Sequence, residues 1–122
     1  MTYPSHIKKQ LQDWATTAYR RELARELQAL QKDIDLWQRE RISSEELTHR
    51  IHAWDTGPSQ ALVKQYDYGQ PEANVAFAVV AGILKEKDLP DELLDALTSQ
   101  LEMYRELQAK GKLQARKGTW WR

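Results

Sequence analysis

The stretch from Ala73 to Leu84 is apolar at nearly every position, in contrast to the rest of a chain that is 30% charged. A segment that is apolar on all sides is expected to lie beneath the other elements. Val75 and Phe77 favour strands, so a buried strand is the alternative interpretation. The length of the run, and Pro71 at a first helical position, favour a helix. We predict a buried central helix at about 71–86.

Apolar residues also recur, mostly every three or four positions, from about Ser5 to Glu40, a region without proline or glycine. They are Ile7, Leu11, Trp14, Ala18, Leu23, Leu27, Leu30, Ile34 and Trp37. This spacing predicts one amphipathic helix roughly 50 Å long. A compact domain of this size is narrower than that, so part of the helix is expected to lie beyond its own core.

The outer part of this helix carries a short heptad-type seam formed by Leu27, Leu30, Ile34 and Trp37, with charged residues on either side. The alternative interpretation is a solvated extension of the helix, stabilised by ion pairs between residues four positions apart. That arrangement would leave Ile34 and Trp37 exposed to water. Exposed apolar patches of this kind are typical of interfaces. We therefore predict a homodimer through these four residues.

Three further helical segments are predicted around the central helix. Ser43 is a suitable N-cap for a second helix, with Glu46 at the capping-box position, and this helix is expected to end or kink near Gly57–Pro58. A turn or two of helix follows Pro58. One last helix, opened by Pro90 and closed by Gly111, carries a single apolar stripe and should pack on the central helix. The predicted fold is all-α, a long N-terminal helix packed with three to four shorter helices.

Length and composition narrow the class of protein. At 122 residues the chain fits one helical domain, residues 1–111, followed by a basic and aromatic tail, residues 112–122, that we expect to be mobile. No cysteine is present, which excludes disulfides and thiolate metal sites. The first residues lack the pattern of a signal peptide, and the apolar run is too short to span a bilayer, so a cytoplasmic protein is expected.

Glu45, His49 and His52 form an exposed patch on the second helix, on the side opposite Leu47 and Ile51. Glu46 and His49 also have the Glu-x-x-His spacing of di-iron bundles, so a metal-binding helical protein is an alternative. That site needs two such motifs and two further glutamates facing inward, whereas this motif occurs once. We predict no metal and no cofactor.

The sequence also contains candidates for two other kinds of chemistry. His52 with Asp55 or Ser59 is a conceivable hydrolytic pair, but no nucleophile elbow or glycine-rich loop accompanies it, so no catalytic residue is predicted. The tail interleaves basic and aromatic residues, which makes a nucleic-acid-associated factor an alternative. The chain has 18 basic and 18 acidic residues, so such binding would have to be local. Aromatic residues near Pro58 are a further candidate lining for a ligand groove.

The order of these features resembles the fluorescence recovery protein family and its wider relatives. The residues that carry the resemblance are Ala18–Leu23, Tyr66–Asp67, Phe77–Ala78, Gly82, Leu84 and Asp88–Leu89. Members of that family are small helical homodimers that bind the orange carotenoid protein and hasten its return to the resting state. The resemblance implies a helical dimer with an exposed helix surface for another protein.

The partner-contact segment of that family matches this chain at one position. When residues 42–67 are aligned without a gap, the tryptophan, histidine, aspartate and arginine of the family fall at His49, His52, Ala53 and Ser59, so only the histidine is shared. The patch of Glu45, His49 and His52 coincides with this surface. We therefore predict a non-enzymatic helical dimer that binds and regulates a protein partner through that patch.

Overall fold

The computed structural model describes residues 3–113, which are almost entirely helical and contain no strand. The α-helices are α1 (Ser5–Gln38), α2 (Ser44–Trp54), α3 (Gln60–Tyr68), α4 (Pro71–Val80), α5 (Asp91–Ala96) and α6 (Thr98–Ala109). A π-helical turn (Asp55–Ser59) joins α2 to α3, and a 3-10 turn (Glu86–Asp88) precedes α5. The predicted all-α class is confirmed.

Helix α4 is the centre of the core. Its residues from Asn74 to Val79 are buried, and it packs between the first half of α1 and the helix α6. Ile7, Leu11 and Ala18 supply the α1 side of this core. On the other side the rings of Phe77 and Tyr104 meet edge to face, with centroids 5.9 Å apart. The apolar run of the sequence is therefore an enclosed helix, as its composition predicts.

The central helix is shorter than predicted, since it ends at Val80 and not near residue 86. Gly82 has a φ of +82° and closes the helix with a Schellman motif. The N–H of Ile83 donates to the carbonyl of Ala78 at 2.8 Å, and that of Gly82 donates to Val79 at 3.2 Å. The apolar run continues because Ile83 and Leu84 are still buried after the helix has ended.

The last predicted helix is divided in two at Leu97, where φ is −99° and ψ is 6°. The hydroxyl of Thr98 donates to the carbonyl of Asp95 at 2.8 Å, a side-chain bond to the preceding turn that bends helices. Leu93, Leu97 and Leu101 stay buried on both sides of the break. The apolar stripe was predicted correctly, and the division was missed because a stripe does not report a local bend.

Helices α1 and α2 form an antiparallel hairpin. Ser43 caps α2 as predicted, with its Oγ accepting from the N–H of Glu46 at 3.0 Å. The turn before it is a second Schellman motif, in which Arg41 N–H donates to the carbonyl of Leu36 at 2.8 Å. Its left-handed position is occupied by Glu40, with a φ of +58°, although glycine is the residue that adopts this conformation at least cost.

Replacing Glu40 by glycine is therefore expected to stabilise the protein. The gain should be about 0.5–1 kcal/mol, because relief of the left-handed conformation outweighs the added freedom of glycine in the unfolded chain. The measurement is the urea midpoint. Gly82→Ala is the matched control and should lower the stability. No atom lies within 4 Å of the added methyl group, so the strained backbone conformation is the only cost. A Glu40→Gly variant less stable than the wild type would contradict this explanation.

The predicted break at Gly57–Pro58 is a change of helix type and not an end of the helix. The π turn Asp55–Ser59 contains Pro58 and carries α2 directly into α3. Extra residues of this kind in a helix accommodate a proline and are frequent at functional sites. We refer to the continuous segment α2–π–α3 as the second rod.

Candidate functional site

The outer part of the molecule has no buried side chain. From Leu27 through Ala61, a region that covers the end of α1, all of α2 and the π turn, every residue is half-buried or exposed. In contrast, the other end of the molecule encloses the core, which includes Leu84, Leu93 and Leu97. We call the part from 27 to 61 the outer hairpin. Such a pair of helices without a core of its own is unusual in a single domain.

Direct contacts show which sides of the two helices face each other. Arg50 on α2 donates to Asp33 on α1 at 2.8 Å, and the indole N–H of Trp54 donates to the carbonyl of Glu26 at 3.0 Å. Trp37 donates to the hydroxyl of Ser44 at 3.0 Å near the turn. The helices are therefore in register as an antiparallel pair.

The four residues predicted for the dimer seam fall into two groups. Leu30 and Trp37 lie towards α2, although Trp37 is still 40% exposed. The other two, Leu27 and Ile34, directly follow the contact residues Glu26 and Asp33 in the sequence. Each therefore lies about 100° further around α1 than its contact residue, and Leu27 is 48% exposed. They therefore point to one side of the hairpin.

Ile51 on α2 belongs to the same side. It directly follows the contact residue Arg50 and is 42% exposed. In two antiparallel helices, the residues that follow the contact positions point to the same side of the pair. Leu27, Ile34 and Ile51 thus form one surface, the outer apolar face.

The predicted partner-binding residues Glu45, His49 and His52 are all exposed on α2. They lie on the side of α2 that faces away from α1, as the helical spacing predicts. A shallow depression lined by Ser44, Glu45, Thr48 and His49 lies at the start of this surface. We call these three residues the histidine face.

The Glu-x-x-His pair does not form part of a metal site in the described region. Within residues 3–113, no three histidine, aspartate or glutamate side chains are grouped so as to hold a metal ion. Glu46 instead accepts from Arg50 at 3.0 Å. The carboxylates of Asp33 and Glu46, in that order of importance, raise the pKa of the Arg50 guanidinium. Arg50 therefore links α2 to α1 through Asp33, while Glu46 on its own helix holds the guanidinium in place.

A groove of about 830 Å³ runs between α1 and the second rod. Its floor and walls are largely small or apolar, and they include Ala29, Leu30, Ala53, Trp54, Gly57, Pro58 and Ala61. Lys32, Arg50 and Lys64 bring positive charge to the same groove, and Asp33 contributes a carboxylate that is paired with Arg50. Lys32 and Ala53 directly precede the contact residues Asp33 and Trp54, so the groove lies on the side opposite the outer apolar face.

The aromatic residues near Pro58 have three different positions. Trp54 lines the groove, whereas Tyr68 is 84% exposed at the end of α3. Tyr66 donates to the Glu22 carboxylate at 2.7 Å and its ring packs on Tyr19, with centroids 5.3 Å apart. Of these three aromatic residues, Trp54 is the one that lines the groove.

Sequence reasoning missed the burial of Glu22 and Glu26, which are both 0% exposed. They continue the inner face of α1 that begins with Ile7, Leu11 and Ala18, at spacings of four and seven. This spacing could have predicted that the two glutamates are buried. The apolar residues Leu23 and Leu27 instead indicated a neighbouring face of α1 as the buried one. Carboxylates are also rarely buried unless they are hydrogen-bonded.

The tail predicted as a nucleic-acid alternative lies largely outside the described residues, since it continues from 114 to 122. Leu113, just before it, packs against the core. Among residues 3–113, no helix combines the length and apolar character needed to span a membrane. A scan against models of protein families and searches among curated proteins and solved structures return no match for this chain.

Proposed function

We propose that this chain is a non-enzymatic helical homodimer that binds a protein partner and regulates it. The observation that carries the proposal is the outer hairpin, which holds leucine, isoleucine and tryptophan side chains yet buries none of them from residue 27 to 61. A second copy seated on Leu27, Ile34 and Ile51 would bury this surface, and self-association through one apolar patch is the commonest form of soluble oligomer.

The dimer would leave the histidine face available. Glu45, His49 and His52 lie on the back of α2, away from α1, and all three are exposed. The partner would be regulated by differential affinity, with one of its conformations bound more tightly than another. No substrate chemistry is required for this activity.

The resemblance to the fluorescence recovery protein family supports the same type of function. Among the residues that carry it, Tyr66 contacts both Tyr19 and Glu22 where the second rod joins α1. These contacts therefore help to set the angle at which the hairpin leaves the core. We propose a family-like adaptor with a partner of its own.

The partner-binding part is tested with a His49→Ala, His52→Ala double variant. Affinity capture from the native host, read by quantitative mass spectrometry, should recover a partner with the wild type and at least tenfold less of it with the variant. His6→Ala, which removes an exposed histidine at the start of α1, is the control and should recover the wild-type amount. Equal recovery by the double variant would exclude the histidine face.

A further inference from the structure

The groove between α1 and the second rod has cations on both of its walls. Lys32 stands on α1 and Lys64 on α3, and both are exposed. Neither lysine forms an ion pair with any residue in the range 3–113. Arg50 between them is already held by Asp33 and Glu46. The two lysines are therefore the charges that a ligand in the groove would meet.

Between the lysines, small and apolar groups line much of the groove, and the polar lining residues there are Asp33, Arg50, Thr56 and Gln60. Ala29 comes from α1 and Ala53 and Ala61 from the second rod, while Trp54 and Pro58 supply larger apolar surfaces. Methyl side chains leave space into which the larger side chains of a ligand can fit. An anion that is only charged, such as a nucleic-acid backbone, would leave this apolar lining without a contact.

The groove is bounded by two contacts between the second rod and α1. Trp54 donates to the carbonyl of Glu26, and Tyr66 donates to the carboxylate of Glu22. Between these contacts the π turn and α3 still pack against α1, and Leu62 is buried there. The groove is therefore a depression on the surface of a packed pair of elements, with Pro58 of the π turn in its lining.

We infer that this groove binds an acidic amphipathic helix of a partner protein, a conclusion that rests on the proposed function in requiring a protein partner. The lining from Arg50 to Lys64 extends about 21 Å along the second rod, which corresponds to a helix of about 14 residues. Apolar side chains at helical spacing enter between the alanines, and carboxylates on the flanks pair with Lys32 and Lys64.

The outer apolar face lies on the other side of the hairpin, so dimer formation and groove binding do not compete. This separation makes the two proposals independent in experiment. If the chain is monomeric, the proposal for the groove is unaffected. If no peptide binds the groove, the proposal of a dimer is unaffected.

The test is a selection from a library of displayed, randomised helical peptides of about 14 residues, with the full chain as the immobilised target. Selected peptides should be rich in aspartate and glutamate flanking an apolar stripe. Lys32→Glu with Lys64→Glu should lower their affinity at least tenfold in fluorescence anisotropy. Lys85→Glu with Lys87→Glu is the matched control, because it makes the same change of charge at exposed positions outside the groove. It should leave the affinity within twofold.

Circular dichroism of both double variants checks that the fold is retained. The inference is overturned by a selection that yields no binding peptide, by peptides without acidic enrichment, or by equal losses in the two double variants. A mixed-sequence single-stranded oligonucleotide is the competing probe. If it binds the wild type more tightly than the selected peptides and loses binding with the groove variant, the groove is assigned to nucleic acid and the inference fails.

Discussion

Phe77→Ala is expected to lower the free energy of unfolding by about 4 kcal/mol. Phe77 is 5% exposed in the middle of α4, and its ring meets that of Tyr104 edge to face at 5.9 Å. Removal of the ring leaves a cavity between α4 and α6 and loses the aromatic contact as well. Urea unfolding at one fixed protein concentration measures the change, because association would otherwise alter the apparent stability.

Phe77→Leu is the matched control, since it keeps an apolar side chain of similar reach and should cost less than about 1.5 kcal/mol. Met103→Ala, at a side chain that is 48% exposed, should cost less again. A Phe77→Ala variant with a midpoint near that of the wild type would show that α4 is not the enclosed centre of the fold.

Much of this centre could be predicted from the sequence because its signals are local. The run from Ala73 to Leu84 is apolar on all sides, which leaves burial as its stable arrangement. The cap at Ser43 was also predictable, because a serine side chain can satisfy a free N–H at the start of a helix.

The points that could not be predicted depend on contacts between distant segments. Glu22 and Glu26 are charged residues whose burial depends on what α3 presents to them, such as the hydroxyl of Tyr66. The groove likewise needs the relative placement of α1 and the second rod, which no spacing within either helix encodes. Glu40 in a left-handed turn gives no signal because this residue type rarely adopts that conformation.

The candidate site was predicted in part. Exposure of Glu45, His49 and His52 followed from their position opposite Leu47 on α2. The extension of the apolar face from α1 onto Ile51 could not be predicted, because it depends on which sides of α1 and α2 face each other. Among residues 3–113, α2 packs mainly against α1 and the π turn, which leaves Ile51 42% exposed.

Leu27→Glu is expected to raise the dissociation constant of the dimer at least 100-fold. In a symmetric dimer each substitution places a carboxylate in the interface twice, and an unpaired charge taken out of water carries a large desolvation cost. Leu27 is 48% exposed within one copy, so the helix itself should tolerate glutamate. Sedimentation velocity over a range of concentrations gives the dissociation constant.

Gln28→Glu is the control for this variant. It adds the same charge one residue further along α1, at an exposed position about 100° away from Leu27. Its dissociation constant should stay within threefold of the wild-type value. If the two variants dissociate equally, general charge repulsion and not the outer apolar face would govern association.

Sedimentation equilibrium of the unmodified chain at micromolar concentration is the most direct test of the proposal that the outer hairpin is an interface. The mass should be twice the 14.3 kDa of one chain, since the surface from Leu27 to Ala61 then has a second copy to cover it. A mass of 14.3 kDa at every concentration up to the millimolar range would contradict the account.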